Sequence, residues 1–282
     1  MNISDFTILY INLAHDTHKK ELIEQKLNKL KLKYERVDAV YGKRLRDDDY
    51  CQEIAEKLGM TWKKLKSEYW LSRKNFKTMN TGCTNITLGR VGCYLSHILA
   101  MRTAIKKKLN GVIILEDDVD IPEDLRSEIL YIPENADIFY LGGSFITRKM
   151  FAMVSEVMID VEKLTEKYED IPTIPISRDE IKIAGAYAYI IPTPEKIKDI
   201  DNVLSSVFID GIGRDKHQDW RSGNIRMRAQ ALDYMYINIF QQFGKTYVAN
   251  PTLVGHIDMG SNITNNRQKY KINHRLKSPT HY

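Results

Sequence analysis

Four carboxylates fall within five positions between Glu116 and Asp120, directly after the apolar run at residues 112–115. Such a run is typical of a buried strand, and ligands of open α/β sheets bind beyond the carboxyl ends of the strands. Neighbouring carboxylates repel one another unless a cation neutralises them, and oxygen ligands suit Mg²⁺ or Mn²⁺. The cluster therefore predicts a cation site that bridges to a nucleotide diphosphate. An acidic turn that caps the next helix is the structural alternative.

The surrounding pattern is typical of an α/β domain. An apolar run at 6–12, a helical pattern that opens at Thr17 and a second predicted strand at 34–40 form a β-α-β start, which indicates a parallel sheet. A helix is predicted at 89–109 and another from Pro194, followed by one at 228–243. The further predicted strands lie at 112–115, 136–141, 186–191 and 246–249.

Two stretches do not fit this alternation. Residues 45–85 are charged and helical in pattern, which predicts an insert outside the sheet. Residues 144–182 have weak periodicity, and we expect a mobile region there that faces the acceptor of the reaction.

The composition excludes several classes of protein. The 282 residues are 43% hydrophobic and 28% charged, which is ordinary for a globular protein, and a net charge of +5 is too mild for a dedicated nucleic-acid binder. No apolar stretch approaches a membrane span, the N-terminus lacks the pattern of a signal peptide, and three cysteines do not make a disulfide framework. A cytoplasmic location is therefore expected. The basic tail at 267–282 is either solvated surface or a peripheral contact with an anionic membrane.

Several motifs occur in the order of a known family. The segment Val91-Gly-Cys-Tyr-Leu-Ser-His97 matches a Gly-Cys-x-x-Ser-His motif, and Leu115-Glu-Asp-Asp-Val119 matches a Leu-Glu-Asp-Asp motif. Together with similar segments at 10–13 and 36–43, they make the chain resemble the family 25 glycosyltransferases. The chain departs from the family pattern at Arg90, where the family has Glu, at Asn262, where it often has Asp, and in the insert.

The resemblance implies a fold and an activity. The expected fold is α/β: a GT-A type nucleotide-binding αβα sandwich with a central, mostly parallel sheet, formed by a single domain over residues 1–266. The expected activity is metal-dependent, inverting transfer of a hexose, galactose or glucose, from a UDP-sugar donor to a hydroxyl of a glycan, glycolipid or glycoprotein acceptor. Mn²⁺ or Mg²⁺ is the expected cofactor.

The resemblance and the chemistry together assign site residues. Asp118 and Asp120 are predicted to hold the metal, with His256 as a further ligand that related folds supply near the C-terminus. The residues predicted to bind the nucleotide-sugar are Asn12, Leu13, Ala39, Ser96, His97, Glu116 and Asp117. For Ser96 and His97, a role in helix packing is the alternative, and for His256 the alternative is an ordinary histidine.

The acceptor hydroxyl also needs a general base. Asp233 is favoured because it lies near the start of an apolar helix, where the helix N-terminus stabilises an ionised carboxylate. A simple helix N-cap is the alternative for Asp233, and Asp219 is the second candidate base. Cys93 is interpreted as a small buried hydrophobe rather than a nucleophile.

Two other functions compete with sugar transfer. A nucleotidyltransferase on a similar sheet would also need an acidic metal site, but the chain lacks an N-terminal glycine-rich phosphate loop with Lys or Arg. A non-catalytic protein that binds glycans or membranes would not need the intact cluster from Glu116 to Asp120. The oligomeric state is not predicted.

Overall fold

A computed structural model describes residues 1–61, 88–147, 168, 170–177, 181–210 and 232–257. Four of the predicted features lie wholly or partly outside these residues. They are the second half of the insert at 45–85, most of the segment 144–182, the candidate base Asp219 and the tail at 267–282.

The strands of the described residues belong to one large sheet and two small ones. Numbered along the chain, they are β1 (Thr7–Asn12), β2 (Tyr34–Asp38), β3 (Val112–Glu116), β4 (Val119–Asp120), β5 (Ile138–Tyr140), β6 (Ser144–Thr147), β7 (Thr173–Ile176), β8 (Ile181–Ala184), β9 (Ala188–Ile191), β10 (Thr246–Ala249) and β11 (Gly255–His256).

The large sheet has seven strands in the order β2-β1-β3-β9-β5-β10-β7. β1 runs parallel to β2 and β3, and β5 runs parallel to β10, whereas β9 and β7 run antiparallel to their neighbours. Five strands therefore share one direction, and the expected α/β class with a mostly parallel sheet is confirmed. The carboxyl ends of β1, β2 and β3 meet at one edge of the sheet, because these strands are adjacent and parallel.

Helices cover both faces of the large sheet. They are α1 (Thr17–Lys29), α2 (Asp48–Lys57), α3 (Leu88–Lys106), α4 (Pro194–Asp210), α5 (Leu232–Met235), a π-helical turn (Tyr236–Phe240) and α6 (Gln241–Phe243). Along β1, Leu9 and Ile11 pack into the core layer beneath α3 and α4, whereas Ile8 and Tyr10 pack into the layer beneath α1. Both faces of β1 are thus buried, which explains its continuous apolar run.

α3 holds the loop after β2 in place. A Cβ atom at Gly92 would lie 2.4 Å from the carbonyl oxygen of Val40 and 2.7 Å from the backbone nitrogen of Gly42, so only glycine permits this approach. One turn further on, the Ser96 hydroxyl accepts a 2.8 Å hydrogen bond from the backbone nitrogen of Val40 and donates to the Gly92 carbonyl. The glycine and the serine of the Gly-Cys-x-x-Ser-His motif therefore fix the 39–42 loop against the helix.

The segment 144–182 differs from expectation at its described ends. β6 and β8 pair with each other, and β7 forms an edge of the large sheet. Strands of four residues are too short to show a clear period in the sequence, which is why the pattern did not reveal them.

The Ser96→Ala variant should be less stable than the native protein by about 1–3 kcal/mol, because it leaves the buried Val40 N–H without its acceptor. Thr103→Ala is the matched control. The Thr103 hydroxyl lies on the same helix and donates to the Leu99 carbonyl, in the way that Ser96 donates to Gly92, but its hydrogen bond stays within the helix. Urea unfolding measures both. Equal losses for the two variants would contradict the role of Ser96 in holding the loop.

Candidate active site

An open pocket lies beyond the carboxyl ends of β1 and β3, with a cavity volume of about 100 Å³, or about 670 Å³ when the adjoining open solvent is included. The structure brings together in its wall all seven residues predicted to bind the nucleotide-sugar, namely Asn12, Leu13, Ala39, Ser96, His97, Glu116 and Asp117. Asp118 lies in the same wall, as do Lys19 and Cys93. Sequence reasoning had not assigned Lys19 or Cys93 to the site. The parallel order of β2, β1 and β3 explains this gathering, because it aligns the strand ends and the loops that follow them.

Asn12 connects the ends of β1 and β3. Its amide nitrogen donates to the Asp117 carboxylate at 2.7 Å and to the Asp16 carbonyl at 3.0 Å. Its amide oxygen accepts from the Arg36 guanidinium at 3.2 Å. The buried Asn12 side chain therefore positions Asp117 at the mouth of the pocket.

Lys19 supplies the positive charge next to the acidic cluster. Its ammonium lies 3.3 Å from Asp117 and 3.4 Å from Asp118, and its side chain is only 7% exposed. Burial alone would lower the pKa of Lys19, but the two carboxylates outweigh it and raise that pKa. The sequence did contain a signal, because Lys19 lies four residues before Ile23 and eight before Leu27, on the buried face of α1.

Asp118 and His256 form a second charged contact. Antiparallel pairing of β11 with β4 brings the His256 ring nitrogen Nε2 to 3.4 Å from Asp118 Oδ1. Burial raises the pKa of Asp118, but His256 and Lys19 outweigh it and hold that pKa below its usual value, and contact with Asp118 raises the pKa of His256. Asp118 Oδ1 is buried, and its contact with His256 lacks the geometry of a hydrogen bond, so His256 is its ionic partner.

The structure separates Asp120 from the other predicted metal ligands. The Asp120 side chain is 63% exposed and pairs with Lys26 of α1 at 2.8 Å. Asp118 therefore contacts His256 and shares Lys19 with Asp117, whereas the exposed Asp120 lies on the neighbouring surface.

Glu116 lies at the floor of the pocket with Cys93 and His97 of α3. The Glu116 carboxylate lies 3.4 Å from His97 Nε2 and 3.9 Å from the Cys93 sulfur. Burial and the nearby Asp118 and Asp233 raise the pKa of Glu116 to about 8, and burial lowers the pKa of His97 to about 3. At neutral pH, Glu116 is therefore mostly protonated and His97 is uncharged.

Asp233 is tied to the loop before β9. Its carboxylate accepts a 2.9 Å hydrogen bond from the backbone nitrogen of Ala186. Burial raises the pKa of Asp233, and the backbone donors of Ala186 and Gly185 oppose that rise. The carboxylate is near enough to Glu116 and His97 to shift both of their pKa values, so the structure places this candidate base in the neighbourhood of two pocket residues.

Comparison with protein-family models assigns the class of the protein: it is a glycosyltransferase. The matching family, described as glycosyltransferase family 25 (LPS biosynthesis protein), covers residues 6–207. The chain belongs to this family, which confirms the resemblance seen in its motifs.

Solved structures with similar folds are distant in sequence. A glycosyltransferase involved in the glycosylation of the major capsid of PBCV-1 is 11% identical, with a TM-score of 0.40, 91% of this chain covered and 94% of the other. A structure titled mannose-1-phosphate geranyltransferase, from Thermus thermophilus, is 10% identical, with a TM-score of 0.34 and 86% and 73% covered. No curated protein sequence matches the chain.

Among the helices of the described residues, none combines the length and the apolar composition that crossing a membrane requires.

The raised pKa of Glu116 predicts a pH-dependent stability. A carboxyl group whose pKa rises from about 4.5 in the unfolded chain to about 8 in the folded protein takes up a proton on folding, so its contribution to stability falls as the pH rises through that interval. Glu116→Gln removes this contribution. We expect the variant to gain stability relative to the native protein between pH 5 and pH 9.

Urea unfolding in the presence of a chelator tests this expectation. Glu123→Gln is the control, because Glu123 is exposed and its contact with Lys29 lowers its pKa rather than raising it. A difference between Glu116→Gln and the native protein that stays constant from pH 5 to pH 9 would contradict the burial of a protonated Glu116.

Proposed function

We propose that this protein transfers a hexose, galactose or glucose, from a UDP-sugar to a hydroxyl of a glycan, glycolipid or glycoprotein, with inversion at the anomeric carbon. The observation that carries the proposal is the burial of Asp117 and Asp118 in the wall of a pocket that also contains the family motif residues, with Lys19 and His256 as their charged neighbours. The cationic neighbours balance the negative charge of the carboxylates, and the open pocket beyond the strand ends is a place where a nucleotide would bind. The basic tail at 267–282 would meet an anionic acceptor or a membrane surface.

Different residues of the pocket wall suit the nucleotide base and the sugar hydroxyls. Leu13 and Ala39 follow β1 and β2 and offer an apolar surface with backbone polar groups, which suits a planar base. Protonated Glu116 both donates and accepts hydrogen bonds, so in this proposal it bonds the hydroxyls of the ribose or of the donor sugar. Asp117, which Asn12 orients, would bond a neighbouring hydroxyl.

The acidic residues fit a divalent cation. Asp117 and Asp118 offer carboxylate oxygens, and His256, 3.4 Å from Asp118 Oδ1, offers a ring nitrogen. These three residues would hold Mn²⁺ or Mg²⁺, the ions suited to oxygen-rich sites. When bound, such an ion stabilises the negative charge of a departing diphosphate.

Lys19 would compete with this cation for the carboxylates of Asp117 and Asp118. Its ammonium already contacts both Asp117 and Asp118, and like charges compete for the same carboxylates. In our proposal Lys19 gives up at least one of these contacts when the cation binds. Its ammonium then becomes available to a phosphate oxygen of the donor, which it binds as a point charge.

Asp233 is proposed as the general base. Its buried carboxylate has a raised pKa, which makes it a better proton acceptor than an exposed Asp. The bond from the Ala186 backbone fixes the orientation of the carboxylate, and in this proposal an acceptor hydroxyl approaches it there. Asp219, which lies outside the described residues, stays the second candidate.

The metal proposal predicts opposite effects at two contacting residues. Asp118→Asn should lose Mn²⁺ binding and sugar transfer, because it removes an anionic ligand without opening a cavity. Lys19→Met should bind Mn²⁺ more tightly in the absence of nucleotide, because the competing ammonium is gone. Calorimetric titration with Mn²⁺ measures both, and UDP release from UDP-sugars with and without chelator measures turnover.

Two surface variants serve as controls for the metal prediction. Lys26→Met and Asp120→Asn break an exposed ion pair of the same kind near the pocket, and both should leave Mn²⁺ affinity nearly unchanged. Full turnover in excess chelator would contradict metal dependence. Loss of Mn²⁺ binding in Asp120→Asn would return Asp120 to the ligand set, and unchanged affinity in Lys19→Met would contradict the competition.

The base proposal predicts a loss of turnover without a loss of donor binding. Asp233→Asn should lower kcat by on the order of 10² or more, the usual scale for a general base, while Asn keeps an oxygen to accept the Ala186 bond. Steady-state kinetics and UDP calorimetry make the comparison, with Asp219→Asn assayed in parallel. If Asp233→Asn loses UDP affinity but keeps its kcat, Asp233 belongs to the donor site and Asp219 becomes the base.

A further inference from the structure

A second group of metal-binding side chains lies at the pocket floor, apart from Asp117, Asp118 and His256. One ligand atom each from Cys93, His97 and Glu116 lies within 4.8 Å of the other two. Cys93 and His97 are one helical turn apart on α3, and Glu116 is the last residue of β3. α3 and β3 therefore bring a sulfur, a nitrogen and an oxygen atom close together.

The distances match the requirements of a small cation. The carboxylate oxygen of Glu116 lies 3.4 Å from His97 Nε2 and 3.9 Å from the Cys93 sulfur. Ligands that surround Zn²⁺ tetrahedrally, with bonds of about 2.0–2.3 Å, lie roughly 3.3–3.8 Å from one another. Only small side-chain adjustments are needed to place all three atoms around one ion.

A hydrogen-bonded pair of tyrosines orients the histidine of this group. His97 Nδ1 lies 2.8 Å from the Tyr189 hydroxyl, which also accepts a 2.8 Å hydrogen bond from the Tyr236 hydroxyl. With Nδ1–H as donor to Tyr189, the lone pair of Nε2 points towards Glu116 and Cys93. Outer partners of this kind fix the ring and tautomer of metal-binding histidines.

The donor types distinguish this group from the acidic cluster above it. Thiolate and imidazole favour Zn²⁺ and related ions, whereas carboxylate oxygens favour Mg²⁺ and Mn²⁺. Three protein ligands leave a fourth position open, and here that position faces the pocket, since Cys93 and Glu116 both line it. A zinc ion in this place would occupy space that the proposed donor needs.

We propose that Cys93, His97 and Glu116 form a Zn²⁺ site at the pocket floor, distinct from the Asp117/Asp118/His256 cluster. The Cys93 thiol and the protonated Glu116 carboxyl both pass their protons to solvent as the sulfur and the carboxylate bind the ion, and Nε2 of His97 completes the protein ligands. The site's existence is independent of the proposed sugar transfer, because binding of the ion is measured without donor or acceptor.

Zinc titration with a competing chromophoric chelator tests the site in the full chain. The native protein should bind one Zn²⁺, and Cys93→Ala should weaken binding at least about tenfold, since the loss of an outer partner alone costs about 10–100-fold. Tyr189→Phe, which keeps the ring but removes the hydroxyl, should weaken it about tenfold. Thermal unfolding confirms that each variant folds.

The other cysteines provide matched controls. Cys51 lies on the buried face of α2, and Cys83 lies outside the described residues. Cys51→Ala and Cys83→Ala should bind Zn²⁺ as the native protein does. Co²⁺ replaces Zn²⁺ as a spectroscopic probe: a thiolate-to-cobalt charge-transfer band should be present in the native protein and in both controls, and absent from Cys93→Ala.

Three outcomes would overturn the proposal. They are a native protein that binds no Zn²⁺, equal Zn²⁺ affinity in Cys93→Ala and the native protein, and a charge-transfer band that disappears in Cys51→Ala or Cys83→Ala instead. Loss of Zn²⁺ binding in Asp118→Asn with retention in Cys93→Ala would assign the ion to the acidic cluster. None of these experiments measures turnover, so their results can be interpreted even if the sugar-transfer proposal is wrong.

Discussion

Buried negative charge at the end of β3 is the constraint on which the site depends. Asp117 and Asp118 are both shielded from water, and a buried carboxylate without compensation is costly. The compensation comes from separate parts of the chain: Lys19 from α1, Asn12 from the end of β1 and His256 from β11. The charge of these two carboxylates is therefore balanced only where helix α1, strand β1 and the distant strand β11 come together beside them.

The pocket joins two chemically different halves around this charge. Its mouth offers carboxylates with cationic neighbours, whereas its floor offers the uncharged His97, the protonated Glu116 and the Cys93 thiol. The two halves differ because Lys19 and His256 stabilise the negative charge of Asp118, whereas Asp118 and Asp233 oppose a negative charge on Glu116. In the proposed reaction, one continuous wall would meet both the charged diphosphate and the neutral hydroxyls of the donor.

Much of the fold and part of the site could be predicted from the sequence. The β-α-β start, the buried strand before the acidic cluster and the helix that carries the Gly-Cys-x-x-Ser-His motif were all correct, because each has a local apolar period or run. The strands within 144–182 were missed, since four residues show no period. Lys19 was missed as well, because a lysine on a helix is normally solvated, and only its spacing with Ile23 and Leu27 indicated burial.

The sequence by itself determined the elements, the family and the set of polar side chains available at the strand ends, because these depend on local pattern and motif order. Only the tertiary structure decided which carboxylates meet. Asp118 and Asp120 are two residues apart, yet one is buried between Lys19 and His256 and the other pairs with Lys26 in solvent. The reason is physical: the ion partners of these carboxylates lie about a hundred residues away along the chain, and folding alone sets which of them come near.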